Sequence, residues 1–257
     1  MSVIRAVTFP MAPRSRFERH VHDDHQLAWA ANGVLTVAAD AGTWVLPPSR
    51  ALWIPAGVPH ETIASERSTM RTLYLEADTC PIQWKSPRPV VATALLVALI
   101  EHLEDNGLDP QHRVRAEQLT FDLLEPVDVA TIQLTMPTDE RALDVARALV
   151  SNPADTRNLA DWGHEVGASG RTLTRAFLAD TGIPFARWRT SVRLQAAIPL
   201  LAAGEPVATV ASYVGYETPS AFIAAFRRHT GVTPGAYFRV ADLGDALETR
   251  SQEREKR

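Results

Sequence analysis
Apolar residues along this 257-residue chain follow two different periods, and the change from one to the other divides it. Up to about residue 87 they come in short or alternating runs, over 27–37, 43–46, 52–54, 61–64 and 70–75, bounded by turn-forming residues. Runs of this length, alternating or bounded by turns, predict strands. Asn32-Gly33 and Ala41-Gly42 carry hairpin chemistry, while Pro47-Pro48 and Pro55-Ala56-Gly57-Val58-Pro59 separate the later runs. Several short strands at this spacing predict a small β-barrel.

From Arg88 the period becomes helical. Val90, Ala94, Leu95, Val97, Ala98 and Leu103 predict one helix, stopped by Asn106-Gly107, and Val114, Leu119, Leu123 and Leu124 predict a second, interrupted by Pro126. Residues 129–134 read as a returning strand and Thr135-Met136-Pro137 as a short linker. Thr138 is the expected cap of a helix through Val150, which buries Leu143, Val145, Ala146 and Leu149.

Between Asn158 and Arg239 one arrangement occurs twice. In the first copy Leu159, Ala160, Trp162, Gly163 and Val166 make an apolar helix that ends at Gly167, and Ser169 caps the next. There Leu173, Ala176 and Phe177 face inward, and Gly170, Arg171, Thr174 and Arg175 face out. In the second copy Pro206 suits the first helical position, and Val207, Val210, Ala211 and Val214 run to Gly215. Thr218 caps the following helix with Pro219 inside it, Phe222 and Phe226 turn inward, and Ser220, Ala224 and Arg227 remain near the outer face. Thr181-Gly182-Ile183-Pro184 and Thr230-Gly231-Val232 with Pro234 close the copies alike, so the segment reads as a repeated helix-turn-helix. Phe185, Trp188, Val192, Leu194, Ile198 and Leu201 predict the helix between them, which Pro199 should kink or break.

These residues resemble the AraC/XylS transcriptional regulators. The resemblance is carried by Ser169-Gly170-Arg171-Thr172-Leu173-Thr174-Arg175-Ala176-Phe177, by Trp188-Arg189, Arg193-Leu194 and Leu200-Leu201-Ala202-Ala203-Gly204, and most strongly by Val210-Ala211-Ser212-Tyr213-Val214-Gly215-Tyr216-Glu217-Thr218-Pro219-Ser220-Ala221-Phe222. It continues through Phe226-Arg227-Arg228 to Gly231-Val232-Thr233-Pro234-Gly235-Ala236-Tyr237-Phe238-Arg239. It implies a double-stranded promoter DNA partner, with Ser169, Gly170, Arg171, Thr174 and Arg175 at one groove and Thr218, Ser220, Ala221, Ala224 and Arg227 at the next. Arg175 has an intramolecular salt bridge as its other reading. Ser169 and Ser220 are 51 positions apart, and the connecting helix would set the two reading helices in successive major grooves about 34 Å apart. Pro219, Ala221 and Ala224 offer apolar contact alone, of the kind thymine methyl groups accept.

Charge qualifies this picture. The whole chain carries −4, but residues 1–137 hold 11 basic and 16 acidic side chains, residues 138–239 hold 11 and 9, and the tail from 240 holds 4 and 5. The reading segment is thus only +2, too little for bulk attraction to supply most of the affinity, and all its basic residues are arginine, suited to bidentate contacts with guanine or phosphate. A single cysteine, Cys80, excludes an intramolecular disulfide. No targeting segment is apparent and no apolar run is long enough for a bilayer, so a cytoplasmic, nucleoid-associated protein with no membrane partner is expected.

In the strand-rich half, His20-Val21-His22 is followed by Gln26 and Gly33, and Pro55-Ala56-Gly57 by His60. The spacing is similar to the paired motifs of the cupin superfamily, whose His, His, Glu and His bind a divalent metal inside a barrel. Gln26 stands where that family has Glu, Ser49 where a Gly precedes the second motif, and Ala64 where an Asn ends it. His20, His22, Gln26 and His60 therefore form an effector or metal site in one of three senses. They hold a divalent transition metal, line a metal-free organic pocket, or sit at an exposed strand entrance, with His25 a further ligand or none. Trp29, Trp44 and Trp53 fit either a flat ligand or the core.

The resulting expectation is an α+β multidomain protein: a cupin-like sensor barrel over 1–87, a helical dimerisation region and linker over 88–137, an all-α domain with two helix-turn-helix motifs over 138–239, and a disordered tail over 240–257. The resemblance implies a homodimer through the two helices, which otherwise pack back on their own barrel, in a regulator whose barrel senses a small molecule or metal and whose further partner, if it activates, is RNA polymerase. A metal-responsive repressor without an organic effector is the alternative. A metal cupin enzyme is the third reading, disfavoured because Asp23, Asp24 and Glu61 are more simply solvated than catalytic.

Overall fold
The computed structural model describes residues 3–39, 42–65, 67–124 and 132–238. In chain order the elements are β1 (Ile4–Met11), β2 (Arg16–His20), β3 (His25–Asn32), β4 (Leu35–Ala39), β5 (Gly42–Leu46), β6 (Arg50–Ile54), β7 (His60–Ala64), β8 (Ser68–Leu75), β9 (Arg88–Val91), α1 (Ala94–Leu103), α2 (Pro110–Leu123), β10 (Gln133–Thr135), α3 (Glu140–Ser151), α4 (Leu159–Val166), α5 (Gly170–Thr181), α6 (Phe185–Ala202), α7 (Val207–Tyr213), α8 (Pro219–Thr230) and α9 (Pro234–Tyr237). They form two compact units: the described residues within 1–40, 46–129 and 235–238 make the first, and those within 42–45 and 132–234 the second.

The first unit is a two-sheet β domain. One sheet has the order β1-β8-β3-β6-β9, all antiparallel. Leu27 pairs with Trp53 and Leu73, and Trp29 with Ala51, so these side chains share a face. The apolar side of α1, made by Leu96, Leu99, Ile100 and Leu103, packs against that face. The opposite face of β3 presents Gln26, Ala28 and Ala30, also buried, which is why this strand reads as a continuous apolar run. In the other sheet β7 lies between β4 and β2.

Three expectations change here. Asn32-Gly33 is not a hairpin: Gly33, at φ 68°, passes the chain from one sheet to the other, and a Cβ there would meet Ser68 Oγ at 2.3 Å. Val90 belongs to a strand, because Arg88–Val91 pairs with β6, and the first helix begins only after Thr93, whose side chain accepts from Leu96 N–H. In α2 the helical face is rotated: Ala116, Glu117 and Thr120 are buried while Val114 and Leu119 are 41% and 40% exposed. Glu117 is held inside by the backbone N–H groups of Val3 and Ile4 and by Arg113, at 3.4 Å.

The second unit is helical apart from β5 paired with β10. Its first core gathers Ala142, Val145, Ala146 and Leu149 of α3 with Trp162, Leu173, Phe177, Phe185, Trp188 and Val192. Leu143 is only partly buried. Asp139, not Thr138, caps α3, accepting from the N–H groups of Arg141 and Ala142, while Thr138 N–H and Oγ1 donate to Asp180. Pro199 does not break α6, which runs three residues beyond it. So near the C-terminal end, the ring removes a single bond, to the carbonyl of Gln195. Pro206 is the cap of α7 rather than its first residue.

The strand expected over 129–134 is seen as Gln133–Thr135, residues 129–131 lying outside the described residues, as do the tail from 240 and Arg239. No helix among the described residues is long and apolar enough to cross a membrane.

Candidate nucleic-acid interface and sensor site
Two helix pairs, α4 with α5 and α7 with α8, carry the expected reading residues. Asn158 starts α4 with a capping box: its side chain accepts from Ala160 and Asp161 N–H, and Asp161 accepts from Asn158 N–H. Gly167, left-handed at φ 64°, ends the helix. The turn is so tight that a Cβ on Gly163 would lie 2.3 Å from Ala168 O, and one on Gly170 3.2 Å from Ala160 N. Ser169 then caps α5 by accepting from Thr172 N–H. In the second pair Gly215 takes φ 82°, and Thr218 caps α8 by accepting from Ala221 N–H.

The caps of α5 and α8 stand 49 residues apart, which makes Thr218, not Ser220, the counterpart of Ser169. Leu173 and Phe177 on one helix and Phe222 and Phe226 on the other are buried. Arg171, Thr174 and Arg175 are exposed on α5, as are Ser220, Ala221, Ala224 and Arg227 on α8. Gly170 is half-buried, and Thr174 donates its hydroxyl to Gly170 O, leaving its oxygen lone pairs for an incoming donor. Among the described residues Arg171, Arg175 and Arg227 make no ion pair, so the salt bridge considered for Arg175 is not formed. Two other arginines of this unit are engaged: Arg157 pairs with Asp155 and Glu165, and Arg193 donates to Pro153 O and Asp155 O.

Two further side chains share these outer faces. Leu178 on α5 is 50% exposed and Ile223 on α8 is 36% exposed. The 49-residue register places Ile223 opposite Thr174.

In the β domain His20 and His60 are opposed on β2 and β7. His22 lies beyond the end of β2, so strand alternation does not bring it to His20; the turn does, with His22 O accepting from Gly57 N–H. Ring centroids are 4.3 Å apart for His20 and His60, 4.9 Å for His22 and His60, and 5.9 Å for His20 and His22. Each ring has Nδ1 on a backbone carbonyl: His20 on Glu18 O at 2.7 Å, His22 on Asp24 O at 2.7 Å, His60 on Val58 O at 2.9 Å. A carbonyl only accepts, so all three Nδ1 atoms carry a proton, and in the neutral rings all three Nε2 atoms present lone pairs.

One ligand atom from each ring lies within 4.8 Å of the others. His60 Nε2 is buried and has no hydrogen-bond partner. Burial lowers the His60 pKa to about 4, opposed by its bond to Val58 and helped by His20 and His22, so it is neutral at physiological pH. The buried Gln26 amide sits 3.3 Å from His22 Nε2. Because that nitrogen accepts, the bond calls for the NH₂ end of the amide.

His25 stands apart: its Nδ1 accepts from Ala56 N–H and its ring leans on Trp53, 4.9 Å between centroids. Ser49, where the cupin pattern has Gly, is buried and donates to Tyr237 O. Trp29 and Trp53 belong to the core under α1.

A family model described as an AraC-like ligand binding domain matches residues 5–119, and one described as a helix-turn-helix domain matches 162–239. The chain is 28% identical over 224 residues, 85% of its length and 81% of the relative's, to the HTH-type transcriptional regulator NimR of Escherichia coli. It is 43% identical over 102 residues to the HTH-type transcriptional regulator RipA of Corynebacterium glutamicum, a match covering 40% of this chain and 31% of that one. Among solved structures, ToxT of Vibrio cholerae aligns over 93% of this chain and 98% of its own at 14% identity and a TM-score of 0.38. On the two family-model matches and these sequence relatives, the chain belongs to the AraC family: it is a DNA-binding transcriptional regulator with an N-terminal ligand-binding domain, and not an enzyme.

Proposed function
We propose that this regulator reads promoter DNA with two helix-turn-helix motifs, α5 and α8 being the recognition helices in successive major grooves. The observation that carries this is a repeated capped helix with an exposed outer face: Arg171, Thr174 and Arg175 on α5 and Ser220, Ala221, Ala224 and Arg227 on α8, with the arginines free of intramolecular ion pairs among the described residues. The 18-residue α6 is about 27 Å long at 1.5 Å per residue, a spacer of the order of one DNA turn. Selection of duplexes from a random-sequence library by the full-length chain should enrich two short boxes centred about 10 base pairs apart. Enrichment of a single box, or of none, overturns the two-groove reading.

The sensor would hold a divalent transition metal at His20, His22 and His60, with Gln26 as a weaker fourth donor once its amide turns from His22 Nε2 to present Oε1. Three imidazoles fixed by their Nδ1–H bonds, one of them with a buried, partnerless Nε2, are what a metal ligand set requires of its outer hydrogen bonds. Four neutral donors suit zinc, copper, nickel or iron better than magnesium or calcium. When bound, the ion supplies a positive centre that orders the chain around residues 20–26 and 55–60. Protein purified without chelator should carry about one equivalent of such a metal, and His22→Ala and His60→Ala should each lose it. A metal-free wild type whose melting responds to organic compounds instead makes this an organic-effector pocket.

Exposed Val114 and Leu119 on α2 supply the homodimer contact. Sedimentation of the same preparation should give twice the monomer mass, and a monomer at micromolar concentration removes this assignment. In this reading the sensor site lies within residues 1–87, with β9 (Arg88–Val91) completing its sheet, the dimer helices are α1 and α2, and the reader lies within 138–239, in a cytoplasmic protein.

A further inference from the structure
Along α8, Phe222, Phe226 and Thr230 are buried, and the opposite stripe consists of Ser220, Ile223, Ala224 and Arg227. With Arg228, Gly231 and Thr233 that stripe lines a shallow groove of about 620 Å³. Its cations lie in the last turn of the helix, and its first two turns offer one hydroxyl and otherwise hydrocarbon. A recognition helix places its N-terminal residues nearest the base edges, so this end would meet the bases and the arginines the phosphates. Neither Ile223 nor Ala224 can donate or accept a hydrogen bond. The feature of the major groove that such side chains can distinguish is the C5-methyl group of thymine.

We infer that Ile223 is the specificity-determining residue of the second groove, and that the partner it selects is DNA carrying a thymine methyl opposite the middle of α8. The inference rests on the two-groove reading proposed above. Ile223 does not belong to the residues expected from sequence; its claim comes from its position in the 49-residue register and from being a large aliphatic side chain left 36% exposed between Ser220 and Arg227. Ala224, one position on, widens the apolar surface without reaching as far.

The test uses the full-length chain and the duplex it selects from a random library. Each thymine is replaced in turn by deoxyuridine, which removes the 5-methyl group and nothing else. Wild-type affinity should fall about four-fold at one or two positions, the worth of one buried methyl. Ile223→Ala should bind more weakly and be indifferent to the same replacements, whereas Ile223→Val should keep most of the sensitivity. A wild type indifferent to every replacement overturns the inference, as does an Ile223→Ala protein that still senses the methyl. If the wild type selects no sequence at all, the two-groove reading fails first, and the two failures are thereby separate. Unchanged circular dichroism and melting of both variants, expected at a solvent-facing site, confirm that affinity is being read on folded protein.

Discussion
Helices α5 and α8 are nearly superposable in sequence logic and opposite in surface chemistry. Both have 12 residues, begin at a side-chain cap and end at a left-handed glycine, Gly182 at φ 73° and Gly231 at φ 81°. Even their exits agree: Thr181 donates to Phe177 O and accepts from Ile183 N–H, and Thr230 does the same with Phe226 O and Val232 N–H. On the outer face the two diverge. Arg171, Thr174, Arg175 and Leu178 on α5 occupy the positions of Ser220, Ile223, Ala224 and Arg227 on α8. α5 carries its polar side chains in the first two turns and Leu178 in the last, whereas α8 offers one hydroxyl and otherwise hydrocarbon in its first two turns and its cations in the last. Caps and cores repeat because packing requires them, and the solvent face, free of that constraint, differentiates the two helices.

The pairs also differ in what holds their first helices. α4 has its own capping box, whereas α7 is only seven residues long and its cap, Pro206, makes no side-chain bond. The second pair relies on Gly215, where a Cβ would come within 2.8 Å of Ala154 Cα and 3.0 Å of Arg193 Nη2. Gly167, the corresponding glycine of the first turn, is also left-handed but faces open space. Gly215→Ala should therefore combine backbone strain with overpacking and cost about 2 to 5 kcal/mol. Gly167→Ala should cost about 1 to 2 kcal/mol, the strain alone. Urea midpoints at unchanged slope measure both; equal losses would mean that the contact with Ala154 does not hold the second pair.

How far the sequence discloses such features depends on whether their causes are local. The caps at Asn158, Ser169 and Thr218 and the stops at Gly167 and Gly215 answer to neighbours within four residues, and they are legible. Asp139 displaces Thr138 as a cap because Asp180, far along the chain, engages Thr138. Val90 obeys helical periodicity, yet pairing with Ala51 makes it a strand residue. The exposed apolar residues of α2 are unreadable for a similar reason: Glu117 is buried by N–H groups more than a hundred residues away. In the histidine site the His20-Val21-His22 spacing points to metal-binding chemistry, but the proton on each Nδ1 and the orphaned Nε2 of His60 depend on folded carbonyl positions. Ile223 is not legible in the same way, because helical periodicity does not say which apolar residue of α8 stays exposed once Phe222 and Phe226 are buried.

The smaller test of the comparison lies in the arginines. If the ends of the two helices play opposite parts, Arg171 and Arg227 should fail differently when removed, although both are exposed guanidinium groups without ion pairs among the described residues. Arg171, in the first turn of α5, is placed to reach a base edge; Arg171→Ala should lose about 1 to 3 kcal/mol on the selected duplex and much less on others. Arg175→Ala should follow it if its guanidinium also enters the groove. Arg227, in the last turn of α8, is placed for phosphate; Arg227→Ala should weaken all duplexes by a similar factor. It should also lower the slope of log affinity against log salt by about 1. Titrations at several salt concentrations on one selected and one scrambled duplex separate these outcomes. Should Arg227→Ala relax base preference while Arg171→Ala changes only the salt slope, the assignment of reading and anchoring ends is inverted, and α8 rather than α5 carries the polar specificity of this regulator.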